Sequence, residues 1–244
     1  METKNIYDLK PKRDTFMSLM AQRNSGKSVL ISNLIHYYLT DADNRCDYVY
    51  VFSETAALNR TTNHSYNFFD KSAIIDPTDI NVVNNFVQHL LTSQKKTNFK
   101  YHVLLVFDDI RLDKKWMVLD FLAARGRHFA ITVVLSAQIS NCVVSPAIRQ
   151  STDYVCWRKL GTETIKKDIY KYMSLSEYRK SEQLIDATLE NTTDYRFMFF
   201  NNMDGADDED KIHLVRAIEL PEGFEYTIAQ PKQPERRKRP AIQW

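Results

Sequence analysis

The chain has 244 residues, 43% of them hydrophobic, and a formal net charge of +2. That length and apolar content fit one large domain with a full core, or one domain with an appendage, and that charge excludes a protein that is basic over its whole surface. No apolar run approaches the ~18 residues of a membrane span, and the polar start METKNIYDLKPKRD does not read as a signal peptide.

Residues 1–13 read as a polar leader. Asp14 to Met20 (DTFMSLM) is an apolar run suited to a buried strand. AQRNSGKS follows as a polar loop, and then Leu30, Ile31, Leu34, Ile35 and Tyr38 fall at helical spacing. Strand, loop, helix is the setting of a phosphate-binding P-loop. Backbone N–H groups of Gln22, Arg23, Asn24, Ser25, Gly26, Lys27 and Ser28 would cradle phosphates at a helix N-terminus, whose dipole also favours anions. Lys27, expected on an exposed loop, reaches the terminal phosphates, and the Ser28 hydroxyl holds Mg²⁺. Gly26 allows backbone to approach where a Cβ would clash. Ala21 stands where the pattern G-x-x-x-x-G-K-[ST] has glycine. Alanine there costs roughly 1–2 kcal/mol only if the position needs a positive φ. A bare Gly-Lys-Ser also recurs by chance; the flanking strand and helix give this one its meaning.

Asp41 to Asn44 signals a turn, and Asp47 to Phe52 (DYVYVF) a strand ending at Ser53-Glu54. Glu54 is a further candidate near the nucleotide. Ile74-Ile75 reads as a short strand. Ile80 to Leu91 is an amphipathic helix with Val83, Val87 and Leu90-Leu91 on one side, and 93–100 a polar connection. Tyr101 to Phe107 (YHVLLVF) is continuously apolar, as in a parallel sheet buried on both faces. It ends in Asp108-Asp109. Residues 114–124 look helical, Phe129 to Leu135 (FAITVVL) is a buried strand leading to Gln138, and Pro146 to Ser151 a short helix. Asp153 to Trp157 is another strand, 162–185 two helices, and Tyr195 to Phe200 with Ile212 to Ile218 a terminal strand pair around the acidic loop 204–210. Cys46, Cys142 and Cys156 lack metal-ligand spacing and read as packed thiols of a reducing compartment. The alternation predicts an α/β three-layer sandwich with a mainly parallel sheet.

The strand-end carboxylates complete the site. Asp108 is placed to hold Mg²⁺, and Asp109 to polarise attacking water; alone, the pair would also suit a strand-end turn or helix cap. Gln138, at the same sheet edge, senses the γ-phosphate or orients water, or is a solvated amide. Arg127, in Arg125-Gly126-Arg127-His128, and Arg149 are candidates to neutralise phosphate charge from a neighbouring subunit, or else belong to solvated or DNA-contacting loops. Residues 229–244, with Pro231, Pro234 and Pro240 around Glu235-Arg236-Arg237-Lys238-Arg239, read as a basic arm for nucleic acid or nuclear import, or a solvated tail.

Together AQRNSGKS, VLLVFDD, ARGRHF and VVLSAQ resemble the poxvirus-type genome-packaging ATPases of the FtsK–HerA superfamily, over about residues 14–160. The short chain is most similar to the virophage packaging ATPases of the Sputnik kind. The departures are Ala21, and Asp109 where these motors commonly have glutamate. The resemblance implies a P-loop NTPase domain over 14–228, using ATP and Mg²⁺. It further implies a homo-oligomeric ring that threads double-stranded DNA into a preformed capsid, with the viral capsid or portal vertex as a partner and no membrane partner. It places the protein in the infected host cell at viral assembly sites, or with the virion. A small-molecule kinase would need an arginine-rich lid that the sequence does not offer; a non-catalytic nucleotide-binding scaffold is the other class.

Overall fold

The computed structural model describes residues 2–22, 24–58, 66–110, 116–137, 145–158, 190, 192–203 and 211–228. A nine-stranded sheet runs through it in the order β1-β9-β8-β7-β2-β6-β5-β3-β4. Its strands are β1 (Thr3–Lys4), β2 (Phe16–Met20), β3 (Tyr48–Phe52), β4 (Ile74–Ile75), β5 (Val103–Asp108), β6 (Ile131–Ala137), β7 (Tyr154–Trp157), β8 (Arg196–Asn201) and β9 (Ile212–Arg216). All pair in parallel except β8, which is antiparallel to both neighbours. The expected C-terminal strand pair is present, and it widens the sheet beyond β7.

Apolar residues on both faces of each central strand make two cores. Leu105 and Phe107 of β5 face one side; Leu104 and Val106 face the other. The first core is covered by α4 (Ile80–Lys96), α5 (Met117–Arg125) and α6 (Pro146–Gln150), through Val83, Val87, Leu119, Leu122 and Ile148. The second is covered by α1 (Ile6–Leu9) and α2 (Lys27–Thr40), through Ile6, Leu30, Ile31, Leu34 and Ile35. This is the three-layer arrangement, and it explains why the strands read as continuous apolar runs. A further short helix, α3 (Glu54–Leu58), follows β3.

Several boundaries differ from expectation for identifiable reasons. The polar connection expected over 93–100 is helical as far as Lys96. Gln94 holds that last turn: it is buried, and its Nε2 donates to the carbonyls of Tyr101 (2.6 Å) and Phe129 (2.8 Å). The strand expected from Phe129 begins at Ile131, because Gly126–Phe129 form a 3₁₀ turn and Ala130 takes φ 54°. The stretch before Asp14 joins the sheet. Asn5 caps α1 reciprocally with Asp8, Ile6 is fully buried, and β1 pairs with β9. The helices expected over 162–185, the acidic loop 204–210, Cys142 and the tail 229–244 lie outside the described residues. Cys46 and Cys156 are buried free thiols, as their apolar surroundings in the sequence imply. Burial pushes the Cys46 thiol up to about 12.

Candidate functional site

The strands β2, β5, β6 and β7 all end at one edge of the sheet, and the polar residues that follow them converge there. The loop after β2 feeds directly into α2. Gly26 is the N-cap of that helix, with φ 83°, a left-handed conformation that glycine adopts without cost. As a glycine, Gly26 offers no capping side chain, so it leaves the first N–H groups of α2 to other acceptors. Asn24 is also left-handed, at φ 55°. Ala21 is not: it stays out of the positive-φ region, is fully buried, and its N–H donates to Ala137 O at 3.3 Å. Alanine in place of the motif's first glycine therefore carries no backbone cost here.

Lys27 is not on an exposed loop as expected. It opens α2 and its side chain is only 8% exposed. Its Nζ lies 3.9 Å from Asp109 Oδ1. A lysine desolvated this far needs anionic company, and Asp109 supplies it across the sheet edge. Asp109 itself takes φ 53°, so the chain turns sharply after β5 and swings this carboxylate toward the loop. Ser25 is buried, and its hydroxyl has no hydrogen-bond partner among the described residues. Ser28 lies half-buried in the first helical turn. Gln22 is exposed beside the loop, and Arg23 lies outside the described residues.

Asp108 ends β5 and is buried. Tyr66 donates to its Oδ2 at 2.8 Å. Burial raises the Asp108 pKa, opposed by the hydroxyls of Tyr66 and Ser136 and by the Lys27 charge, while Asp109 pushes the same way as burial. A buried carboxylate beside a second carboxylate is a place where a cation is favourable. The uncapped helix start, the orphaned Ser25 hydroxyl, and Lys27 then offer a phosphate what it needs. These donors fit a phosphate with a divalent cation.

The remaining candidates divide. Gln138 lies outside the described residues; its neighbour Ala137 sits against Ala21 at the loop entrance. Arg127 lies in the 3₁₀ turn before β6, at the opposite edge of the sheet, and acts on Asp153 at the start of β7. Arg149 lies in α6, which leads into that same opposite edge. Both elements thus lie across the sheet from the loop that leads into Lys27. Glu54 starts α3 at the end of β3, on the site's edge of the sheet.

Three residues at the site escape the motifs. Tyr66 has no local signal, since only the tertiary fold brings it to Asp108. Arg158 follows β7; its N–H donates to Met20 O at 3.0 Å and its guanidinium donates to the Ser25 carbonyl. The guanidinium carbon also lies 4.8 Å from the ring centroid of Tyr195, just before β8. An arginine immediately after a strand at this edge was the one available clue to that group. Among the described residues no cluster of His, Cys, Asp and Glu forms a metal site by itself. Nor is any described helix long and apolar enough to cross a membrane.

No protein-family model matches the chain, and no curated protein matches it. Solved structures do. B204, the DNA-packaging ATPase from Sulfolobus turreted icosahedral virus, superposes with a TM-score of 0.59 at 18% identity, over 86% of this chain and 100% of its own. B204 from Sulfolobus turreted icosahedral virus 2, in complex with AMPPCP, gives 0.61 at 16% identity, over 85% and 99%. The type VII secretion ATPase EccC of Thermomonospora curvata gives 0.54 at 12% identity, over 83% of this chain and 25% of its own. At these identities the likeness establishes the fold, that of P-loop ATPases.

Proposed function

We propose that this chain is an ATP-hydrolysing motor that moves double-stranded DNA into a preformed viral capsid. The observation that carries the catalytic half is the meeting of Lys27 with Asp108 and Asp109 at the uncapped start of α2. The loop N–H groups and Lys27 bind and orient the phosphates. Phosphate drawn onto Lys27 releases Asp109 from its ion pair, and the freed carboxylate takes a proton from the attacking water. Mg²⁺, when bound, would be held by Ser28 and Asp108 and supplies neutralisation of charge on the phosphates. Gln138, the next residue in sequence after β6, is assigned to orient the water.

The DNA half is supported by the packaging ATPases that share the fold and by the basic segment at 232–239. Arg127 and Arg149 lie at the far edge from their own loop, which suits a role across a subunit boundary. A homo-oligomeric ring acting at viral assembly sites brings these parts together. The test is ATP hydrolysis by the full chain with and without duplex DNA, alongside the mass of the assembly in solution. Hydrolysis stimulated by duplex DNA in an oligomer is expected; phosphate transfer to a small acceptor, or no turnover above background, would replace the reading with a kinase or a scaffold.

A further inference from the structure

Tyr195 is an unusual tyrosine. It is 56% exposed, yet both it and Asp194 before it are left-handed, with φ 60° and 49°. A bulky residue in that region is strained, and such strain persists only where surroundings impose it. Here they do. The Arg158 guanidinium lies over the Tyr195 ring, its carbon 4.8 Å from the centroid. Arg158 is itself held by the carbonyls of Ser25 and Thr192. The ring edge meets Gly26 so closely that a Cβ there would lie 2.8 Å from Tyr195 Cδ1. An exposed aromatic ring is thus locked against the phosphate loop, with a cation on one face and more than half of the residue's surface open.

Its position gives it a role. Asp108 ends β5 and Asp109 follows it, on one side of β2; Arg158 and Tyr195 border β7 and β8, on the other. A nucleoside triphosphate is a linear molecule. If its terminal phosphate lies with Lys27 and Asp109, its base leaves the loop toward the opposite flank. We infer that Tyr195 is the stacking platform for the nucleotide base, held rigid by Arg158, so that the site binds nucleosides through their rings as well as through phosphate. This inference rests on the P-loop reading. An aromatic face binds any purine or pyrimidine by stacking, so the platform adds affinity for a base without choosing strongly among bases.

The experiment compares two ligands, ATP and inorganic tripolyphosphate, by calorimetric titration of the full chain. The variants are Tyr195→Ala and Tyr195→Phe. Tyr195→Ala is expected to weaken ATP by about 5- to 150-fold, the usual range for one base on one aromatic ring. It should leave tripolyphosphate unchanged, and Tyr195→Phe should restore ATP binding. If Tyr195→Ala binds ATP as the unaltered chain does, or loses both ligands equally, the platform is overturned while the phosphate site stands. If the unaltered chain binds neither ligand, the phosphate site falls and the platform with it.

Discussion

Replacing Tyr66 by phenylalanine isolates the contact that holds the Asp108 carboxylate. The substitution removes one hydroxyl, from a donor 2.8 Å from Asp108 Oδ2, and leaves the buried ring in place. A hydrogen bond to a charged group contributes roughly 1.5–3 kcal/mol, against about 0.5–1.5 when both partners are neutral. Above its raised pKa the partner is a carboxylate. In a domain of this size 1 kcal/mol moves Tm by about 2–4 °C, so Tyr66→Phe should lower Tm by about 3–12 °C. In acid the carboxyl is protonated and the loss should shrink to about half or less. Burial raises the Asp108 pKa, so this protonation begins above the usual carboxylate range. Circular dichroism melts of both proteins at pH 7 and near pH 4 read the difference. An unchanged Tm at pH 7, or an equal loss at both pH values, would refute the charged hydrogen bond. The Mg²⁺ concentration for half-maximal hydrolysis should also rise, because the carboxylate loses its fixed orientation.

Asp108→Asn should stabilise the nucleotide-free protein at pH 7 while abolishing Mg²⁺-dependent binding. Because the folded pKa is raised, the stabilising effect of protonation is complete below the unfolded value of about 3.9 and is lost as pH rises through the folded value, so the variant's advantage should vanish in acid melts. Asp109→Asn, by contrast, should retain nucleotide affinity and slow single-turnover hydrolysis; equal loss of affinity in both variants would contradict the division of roles. Mixing inactive Lys27→Ala subunits with inactive Arg127→Ala or Arg149→Ala subunits should restore part of the activity, and no rescue in confirmed mixed oligomers would remove that arginine as a trans contact. Deleting residues 231–244 removes Lys232, Arg236, Arg237, Lys238 and Arg239, and should flatten log K against log salt for duplex DNA by up to about 4–5 per arm. Identical slopes would assign the segment to another task.

The parts of this fold set by local chemistry were legible in the sequence. Buried strands such as β5 and β6 carry their own signal, because a sheet covered on both faces needs unbroken apolar runs. The loop into α2 was legible because Gly26 and Lys27 have few other uses between a strand and a helix. Residues placed by the tertiary fold were not. Gln94 looks like part of a polar linker, and only its contacts with Tyr101 and Phe129 extend α4. Tyr66 sits in a polar, aromatic stretch without periodicity, and Tyr195 reads as the start of a strand that in fact begins at Arg196; each reaches the site through a fold that local pattern does not encode. Burial of Lys27 was missed for a related reason: the walls that cover it come from β5, far along the chain.

In the proposed motor, ATP hydrolysis at Lys27 drives the protein along duplex DNA. Displacement of a labelled third strand from a triplex placed along a duplex tests it directly. The full chain should release the third strand with ATP and Mg²⁺, and not with a non-hydrolysable analogue. Lys27→Ala, folded as judged by its melt, should release none. Hydrolysis of ATP on that DNA with no strand released would contradict the account.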